Sequence, residues 1–224
     1  DGVLEIGPGD GALTKYISVM VNKLIIIEKD SDLIDELALI VEKNKNVIMH
    51  NIDVLKFKFS SIKTKFRVVG NLPYNISTEI IFKLCNVKNI KDMHFMLQKE
   101  VVDRIISKPN NKVYGRLSVM AQTYFNVKKL FDVSENVFIP RPKVKSSFIQ
   151  LVPIKDVFDN MKHRICFSNI VKSAFEARRK MIRSSLNDYL SEKDLANIGI
   201  DSKSRAENLT TQDYLAISRY VKKI

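Results

Sequence analysis

Asn71-Leu72-Pro73-Tyr74 sets a side-chain amide and an aromatic ring on either side of a proline, with a free backbone carbonyl between them. The amide oxygen and the carbonyl can accept the hydrogens of an exocyclic amine, and the ring offers a face to the heterocycle that carries it. Such a corner suits a flat, conjugated amine. The tetrapeptide is short and also describes an ordinary turn at the end of a strand. Its weight comes from what stands upstream: Val3-Leu4-Glu5-Ile6-Gly7-Pro8-Gly9-Asp10-Gly11, then Glu28, then Asp53.

Gly7, Gly9 and Gly11 follow a short apolar run and open a helix, where glycines let the backbone approach a ligand closely. With Ala12 the spacing also satisfies G-x-G-x-x-A, which leaves a dinucleotide reading open. Two residues argue against it. Pro8 stiffens the loop and removes an N–H that a pyrophosphate would use. Glu5 adds a carboxylate from inside the strand, and a buried anion suits a cationic ligand better than a pyrophosphate. A tight glycine turn without a ligand is the plainer alternative. Glu28 ends the next apolar run and can accept both hydroxyls of a ribose. That position alone does not separate a nicotinamide cofactor from any other nucleoside. Asp53 can accept the amino group of an adenine or simply begin a turn.

These residues need a scaffold that brings strand ends together. Val3–Ile6, Lys23–Glu28, Asn46–Asn51, Phe66–Gly70 and Met93–Leu97 read as strands. Helices are expected at Ala12–Val21, from a cap at Asp30 or Ser31 to about Glu42, at Thr78–Leu84 capped by Ser77, at Lys99–Ser107 and at Arg116–Phe125. Alternation of this kind implies a doubly wound, mostly parallel sheet, which binds ligands at the carboxyl ends of its strands. Leu130–Val133 and Ser147–Val152 have no helix between them and suggest an antiparallel hairpin at one edge. After Pro153–Asp156 only helix signals remain, at about Phe167–Leu190, Glu192–Asn197 and Thr211–Lys222, the last capped by Thr211. The expected organisation is therefore a catalytic domain at 1–153 and a small all-helical domain at 154–224. A domain of about 70 residues buries too little to be very stable alone.

The 224 residues carry 45% hydrophobic and 28% charged side chains, as a globular protein does, but a formal charge of +12. Such an excess points to a polyanionic partner, nucleic acid before an anionic membrane. Cys85 and Cys166 form no CxxC pair, and His50, His94 and His163 complete no zinc motif, so no metal is expected. This cysteine usage fits a reducing compartment. No apolar run approaches the ~18 residues of a membrane span.

The basic residues cluster. Arg104, Lys108, Lys112 and Arg116 lie late in the first domain, and Arg141, Lys143 and Lys145 lie in a proline-rich loop. Arg178, Arg179, Lys180 and Arg183 are read on the long tail helix, where Arg179 and Arg183 would share a face. Ile170, Ala174, Met181 and Leu186 would form its buried side. Such a run suits a phosphate-tracking surface, or else a solvated helix face.

The E-x-G-x-G-x-G core, the acid after strand two and the aspartate after strand three resemble a Rossmann-like Class I S-adenosylmethionine-dependent methyltransferase. That resemblance implies S-adenosylmethionine as methyl donor, Glu5 near its methionine part, Gly7, Gly9 and Asn71 lining it, Glu28 on the ribose and Asp53 on the adenine amine. Asn71–Tyr74 then matches the motif of enzymes that methylate exocyclic amines of nucleobases. NLPYNIS at Asn71–Ser77, MHFMLQKEVVDR at Met93–Arg104, YGRLSVMAQ at Tyr114–Gln122, FIPRPKV at Phe138–Val144, FEARRKMIRSSL at Phe175–Leu186 and RAENL at Arg205–Leu209 narrow the match. Together they resemble the KsgA (RsmA) family of small-subunit rRNA adenine N6,N6-dimethyltransferases, over nearly the whole chain. NLPYN is shared with Erm-type large-subunit enzymes, whereas the two tail segments favour KsgA.

The resemblance implies dimethylation of two adjacent adenosines near the 3′ end of small-subunit rRNA, within an immature small ribosomal subunit. It implies Asn71, Leu72, Tyr74 and Phe138 around the target base, with Tyr74 and Phe138 stacking on it. Read without the family, Phe138 is a core aromatic beside the stiff Pro140-x-Pro142 turn. Arg116, Arg141, Lys143, Arg178, Arg179, Lys180 and Arg183 would track RNA. The protein is expected to be a bacterial cytoplasmic monomer. The competing expectations are a ribosome-assembly factor with little catalysis and an Erm-type enzyme. The family also carries an N-terminal Gln-Asn-Phe-Leu segment that helps cover the cofactor. The chain opens at Asp1, almost directly in a strand, so it is expected to lack that segment and to bind S-adenosylmethionine weakly as given.

Overall fold

The computed structural model describes residues 2–137 and 144–221. The chain packs as two compact units, residues 1–102 with 127–153 and residues 103–126 with 154–224. One joint falls after Pro153, where the composition changes. The stretch 103–126 groups with the tail helices.

The first unit is built on one seven-stranded sheet in the order β3-β2-β1-β4-β5-β7-β6. The strands are β1 (Gly2–Ile6), β2 (Lys23–Glu28), β3 (Val47–Asn51), β4 (Phe66–Asn71), β5 (Ile90–Gln98), β6 (Phe125–Val133) and β7 (Ser146–Pro153). β1 to β5 run parallel, and β7 pairs antiparallel with β5. The central strands are apolar on both faces because helices cover both: Leu4, Leu24, Ile26 and Val68 are wholly buried. β1 and β4 approach so closely that a Cβ at Gly70 would sit 2.4 Å from the Ile6 carbonyl oxygen. The strand order reverses between β1 and β4, where such sheets open a ligand crevice.

The helices of this unit are α1 (Thr14–Ile17), α2 (Ile34–Lys43), α3 (Ser77–Leu84) and the start of α4 (Lys99–Ile106). The helix expected over Ala12–Val21 shortens to one turn. At its end the Ser18 hydroxyl donates to the Lys15 carbonyl at 3.1 Å, the acceptor the next helical N–H would have used, and the Asn46 side-chain amide holds the Ser18 and Val21 carbonyls beyond it at 2.8 and 2.7 Å. Asp30 accepts the Asp32 N–H ahead of α2, as expected. Ser77 is the first residue of α3 and not its cap; its hydroxyl donates to the Tyr74 carbonyl.

The second unit holds α5 (Arg116–Tyr124), α6 (Met161–Glu176), α7 (Ile182–Ser185), α8 (Glu192–Asn197) and α9 (Thr211–Val221). Two buried tyrosines bind its loops. Tyr114 donates to the Leu209 carbonyl at 3.0 Å and Tyr214 to the Ala206 carbonyl at 2.8 Å. Burial pushes both phenols well above their ordinary pKa, so both stay donors. The long helix expected at Phe167–Leu190 is two helices with a turn between them. Met181 is extended and bridges to Arg205, and the Ile182 N–H donates to the Ser204 carbonyl. Arg178, Arg179 and Lys180 therefore lie in a turn, Arg179 and Arg183 share no helix face, and Met181 is 39% exposed and not in the core. The last helix is capped by Thr210, which exchanges hydrogen bonds with Asp213; Thr211 is its first residue.

Arg178 is bound where it stands. Its Nε and Nη2 reach one Glu207 oxygen at 2.8 and 2.6 Å, and Nη2 also donates to the Lys112 carbonyl. Arg178→Ala should lower stability by about 1 kcal/mol, whereas Arg179→Ala, at an exposed turn position, should move it by less than about 0.5 kcal/mol. Paired urea titrations check this. Equal midpoints for the two variants would contradict the assignment.

Candidate active site

The carboxyl ends of β1 to β4 all face one edge of the sheet and carry the residues singled out in the sequence. The Gly7 N–H donates to the Ile27 carbonyl at 3.0 Å and the Ile52 N–H to the Glu28 carbonyl at 2.9 Å, so the loops leave their strands in register. Gly7 and Gly9 adopt φ of 67° and 61°, the left-handed region that side chains rarely enter. A Cβ at Gly7 would also lie 3.6 Å from the Asn71 carbonyl oxygen and 3.9 Å from Pro73 Cδ. The glycine loop and the Asn71–Tyr74 corner are thus direct neighbours.

Glu28 is buried, and its carboxylate is fixed by backbone. Oε1 accepts from the Lys29 and Asp30 N–H groups at 2.7 and 2.9 Å, and Oε2 accepts the longer bond from Gly9 at 3.2 Å. A carboxylate offers about four lone-pair directions, so acceptor capacity remains on Oε2. Asp53 accepts the Leu55 N–H at 2.9 Å and pairs with Lys29 Nζ at 3.2 Å. The Leu55 N–H first, then Lys29, hold its carboxyl below the usual range, so it is an acceptor at neutral pH.

Glu5 is 2% exposed, and Thr14 donates a 2.7 Å hydrogen bond to it. Thr14 is itself wholly buried and was not expected from the sequence. Burial pushes the Glu5 pKa up from 4.5 to about 7, against the lowering effect of the Thr14 bond. Because the folded value lies above the unfolded one, the native state holds this proton longer. The contribution to stability is full below pH 4.5 and is lost as pH rises towards 7. Glu5→Gln, which keeps an acceptor for Thr14, should therefore raise ligand-free stability by up to about 3 kcal/mol at pH 8 and by little at pH 5. Melting curves at the two pH values check this; an equal difference at both would contradict it.

Asn71 ends β4 opposite Met96 of β5, and the Leu72 N–H donates to the Met96 carbonyl at 3.2 Å. The Asn71 side chain is exposed and makes no hydrogen bond to the described residues, which leaves its oxygen open to a ligand. The Leu72 side chain is buried, so only its backbone is offered to the site. Tyr74 is half-buried, and its hydroxyl lies 2.8 Å from Ser146 Oγ, a partner the sequence did not signal.

The structure brings Glu5, Gly7, Gly9, Glu28, Asp53, Asn71, Leu72 and Tyr74 to one edge of one unit. Phe138, Arg141 and Lys143 lie outside the described residues. In the second unit Arg116, Arg179 and Lys180 are exposed. Arg178 and Arg183 are in ion pairs with Glu207 and Glu192. Among the described residues, no helix is long and apolar enough to cross a membrane.

Residues 1–223 match the family described as "Ribosomal RNA adenine dimethylase". A protein of Nitrosospira multiformis named "Ribosomal RNA small subunit methyltransferase A" is 44% identical, over 100% of this chain and 86% of that protein. Its namesake from Blochmanniella floridana is 45% identical over 96% of this chain and 82% of that protein. Among solved structures, a dimethyladenosine transferase from Plasmodium falciparum superposes with a TM-score of 0.84 at 26% identity, covering 97% of this chain and 88% of that one. The 23S rRNA methyltransferase ErmE superposes at 0.73 with 22% identity, covering 99% and 91%, and shows the shared fold.

Proposed function

The chain belongs to the ribosomal RNA adenine dimethylase family, and we propose that it transfers two methyl groups to N6 of each of two adjacent adenosines near the 3′ end of small-subunit rRNA. The substrate is an immature small ribosomal subunit, met in the cytoplasm by a monomeric enzyme. One observation supports this reading above the others: the glycine loop abuts the Asn71–Tyr74 corner, with a Cβ at Gly7 only 3.6 Å from the Asn71 carbonyl oxygen. A donor lying on that loop meets an amine held in that corner.

The residues present fit S-adenosylmethionine, which supplies an electrophilic methyl group when bound. Glu28 would take the ribose hydroxyls, with its carboxylate already oriented by three N–H groups. Asp53, charged at neutral pH, would take the adenine amine. Buried Glu5 would face the methionine end, where a cation makes a buried carboxylate less costly.

The N6 lone pair of adenine is conjugated into the ring, so N6 is a poor nucleophile. Asn71 is an amide and does not act as a base at neutral pH. Its work is electrostatic and positional. Asn71 Oδ1 and the Leu72 carbonyl accept the two N6 hydrogens, draw the nitrogen towards sp³ geometry and favour the positive charge that develops on it. In-line placement supplies much of the remainder. The proton leaves to water after transfer, because N6-alkylated cationic adenine is acidic. The base must leave its stack to reach the corner, and Tyr74 offers it a face worth about 1–3 kcal/mol.

Labelled methyl transfer tests the substrate assignment. The complete protein is given immature small subunits and, separately, large-subunit RNA. Label confined to the small subunit is expected. Label in large-subunit RNA alone would move the protein to the Erm branch, and tight small-subunit binding without label would make it an assembly factor.

A further inference from the structure

We propose that Ser146 is a positioning residue for the second methyl transfer, acting through the hydroxyl–hydroxyl hydrogen bond that holds Tyr74. The inference rests on the reading of Tyr74 as the ring that stacks on the target base. Tyr74 Oη and Ser146 Oγ are 2.8 Å apart across 72 positions of the chain. Ser146 is wholly buried and begins β7.

Its place is fixed from both directions along the strand. Ser146 pairs with Gln98 of β5, and the carbonyl before it, on Lys145, accepts the Lys99 N–H at 2.8 Å. The next residue, Ser147, is also buried and donates to Asp132 at 2.5 Å. β5 is the strand that holds the other side of the site as well, through Asn71 opposite Met96 and the Leu72 N–H on the Met96 carbonyl. The Tyr74 hydroxyl is therefore tied to the same rigid ladder that carries Asn71. Its backbone carbonyl is tied separately, by Ser77 at 3.3 Å. Tyr74 is half-buried, so the pinned ring keeps surface for a base.

Each transfer has the same balance. The N6 lone pair forms the new N–C bond, the C–S bond breaks with its electron pair left on sulfur, and N6 gives one proton to water. The two transfers differ in how the amine is held. In the first, two N6 hydrogens meet Asn71 Oδ1 and the Leu72 carbonyl. In the second, one hydrogen has been replaced by a methyl group, so one of the two acceptors has lost its partner. The orientation of the base then depends more on stacking, and stacking depends on a ring that does not swing. Ser146 supplies that restraint, so its loss bears on the second transfer more than on the first.

The test is the ratio of N6,N6-dimethyladenosine to N6-methyladenosine formed on immature small subunits under single-turnover conditions, read by mass spectrometry. Compared at equal total methyl incorporation, a merely less stable enzyme leaves the ratio unchanged, because fewer active molecules slow both transfers alike. Ser146→Ala and Tyr74→Phe should each lower the ratio about three- to tenfold, the effect of one lost neutral hydrogen bond. The double variant should lower it no further, because both single changes remove one bond. A parental ratio in Ser146→Ala, or additive losses in the double variant, would overturn the inference. If Ser146→Ala does not fold, Tyr74→Phe decides alone, and an unchanged ratio there overturns it equally. Tyr74→Ala separates the two levels: full dimethylation in that variant would overturn the base-stacking reading itself.

Discussion

Asn71→Ala in the complete protein should lower the rate constant for methyl transfer about 10²–10³-fold, the scale seen when one pre-aimed electrostatic group is lost from a reacting centre. The side chain is exposed, at the end of β4, and bound to none of the described residues. Its removal therefore leaves no buried orphan and little loss of stability. Affinity for S-adenosylmethionine should change far less than the rate, because the role proposed for this side chain is chiefly to hold the amine. Stopped single-turnover assays and equilibrium binding on the same variant separate the two. Full methylation by Asn71→Ala would remove the amine-holding role. Asn71→Asp is informative beside it, since a carboxylate accepts as well but cannot donate.

Glu28→Ala should have the second-largest effect, and on a different step. The carboxylate accepts from Gly9, Lys29 and Asp30, and those three N–H groups aim it at the strand end. Removing it would take away the acceptors proposed for the ribose and the bond that Gly9 makes to it. Charge-assisted hydrogen bonds are worth about 1.5–3 kcal/mol each, so donor affinity should fall roughly ten- to a hundredfold or more. Affinity for small-subunit RNA should stay within about twofold, since Glu28 is buried and the role proposed for it lies with the donor. Titrating both ligands against one preparation checks the split. Weaker RNA binding with unchanged donor affinity would reverse the assignment.

The site was legible in the sequence to the extent that its residues are local to strand ends. Glu28, Asp53 and Asn71 each follow or end a short apolar run and Glu5 stands inside one near its end, and a parallel sheet brings such ends to one edge without further information. The positions that escaped notice are partners supplied from elsewhere in the chain. Thr14 is nine residues from Glu5 and meets it only because the glycine loop folds back. Ser146 is 72 residues from Tyr74 and meets it only because β7 inserts beside β5.

The tail shows the opposite failure, a local pattern overruled by distant contacts. Phe175–Leu186 is rich in residues that favour helix, and its cations recur at helical spacing. Yet Met181 bridges to Arg205, and the Ile182 and Arg183 N–H groups donate to the Ser204 and Ser202 carbonyls. These bonds replace those a continuous helix would have made. Arg178 changes meaning with the backbone: on a helix face it read as a phosphate contact, and in the turn it is bound to Glu207 and the Lys112 carbonyl. The basic surface proposed for RNA then rests more on Arg179 and Lys180, which are exposed. Early termination of α1 has a local cause as well, since the Ser18 hydroxyl donates to the Lys15 carbonyl that the next helical N–H would have used, and Asn46 holds the Ser18 and Val21 carbonyls beyond it.

The most direct test of the account is the chemical identity and position of the product on small-subunit rRNA. The complete protein is incubated with S-adenosylmethionine and immature small subunits, the RNA is cut into short fragments, and each fragment is read by mass spectrometry. The account predicts N6,N6-dimethyladenosine at two neighbouring positions in a fragment from the 3′ end. Methyl groups at carbon, at ribose or at a ring nitrogen would contradict it, because the role proposed for the Asn71–Tyr74 corner is to hold an exocyclic amine.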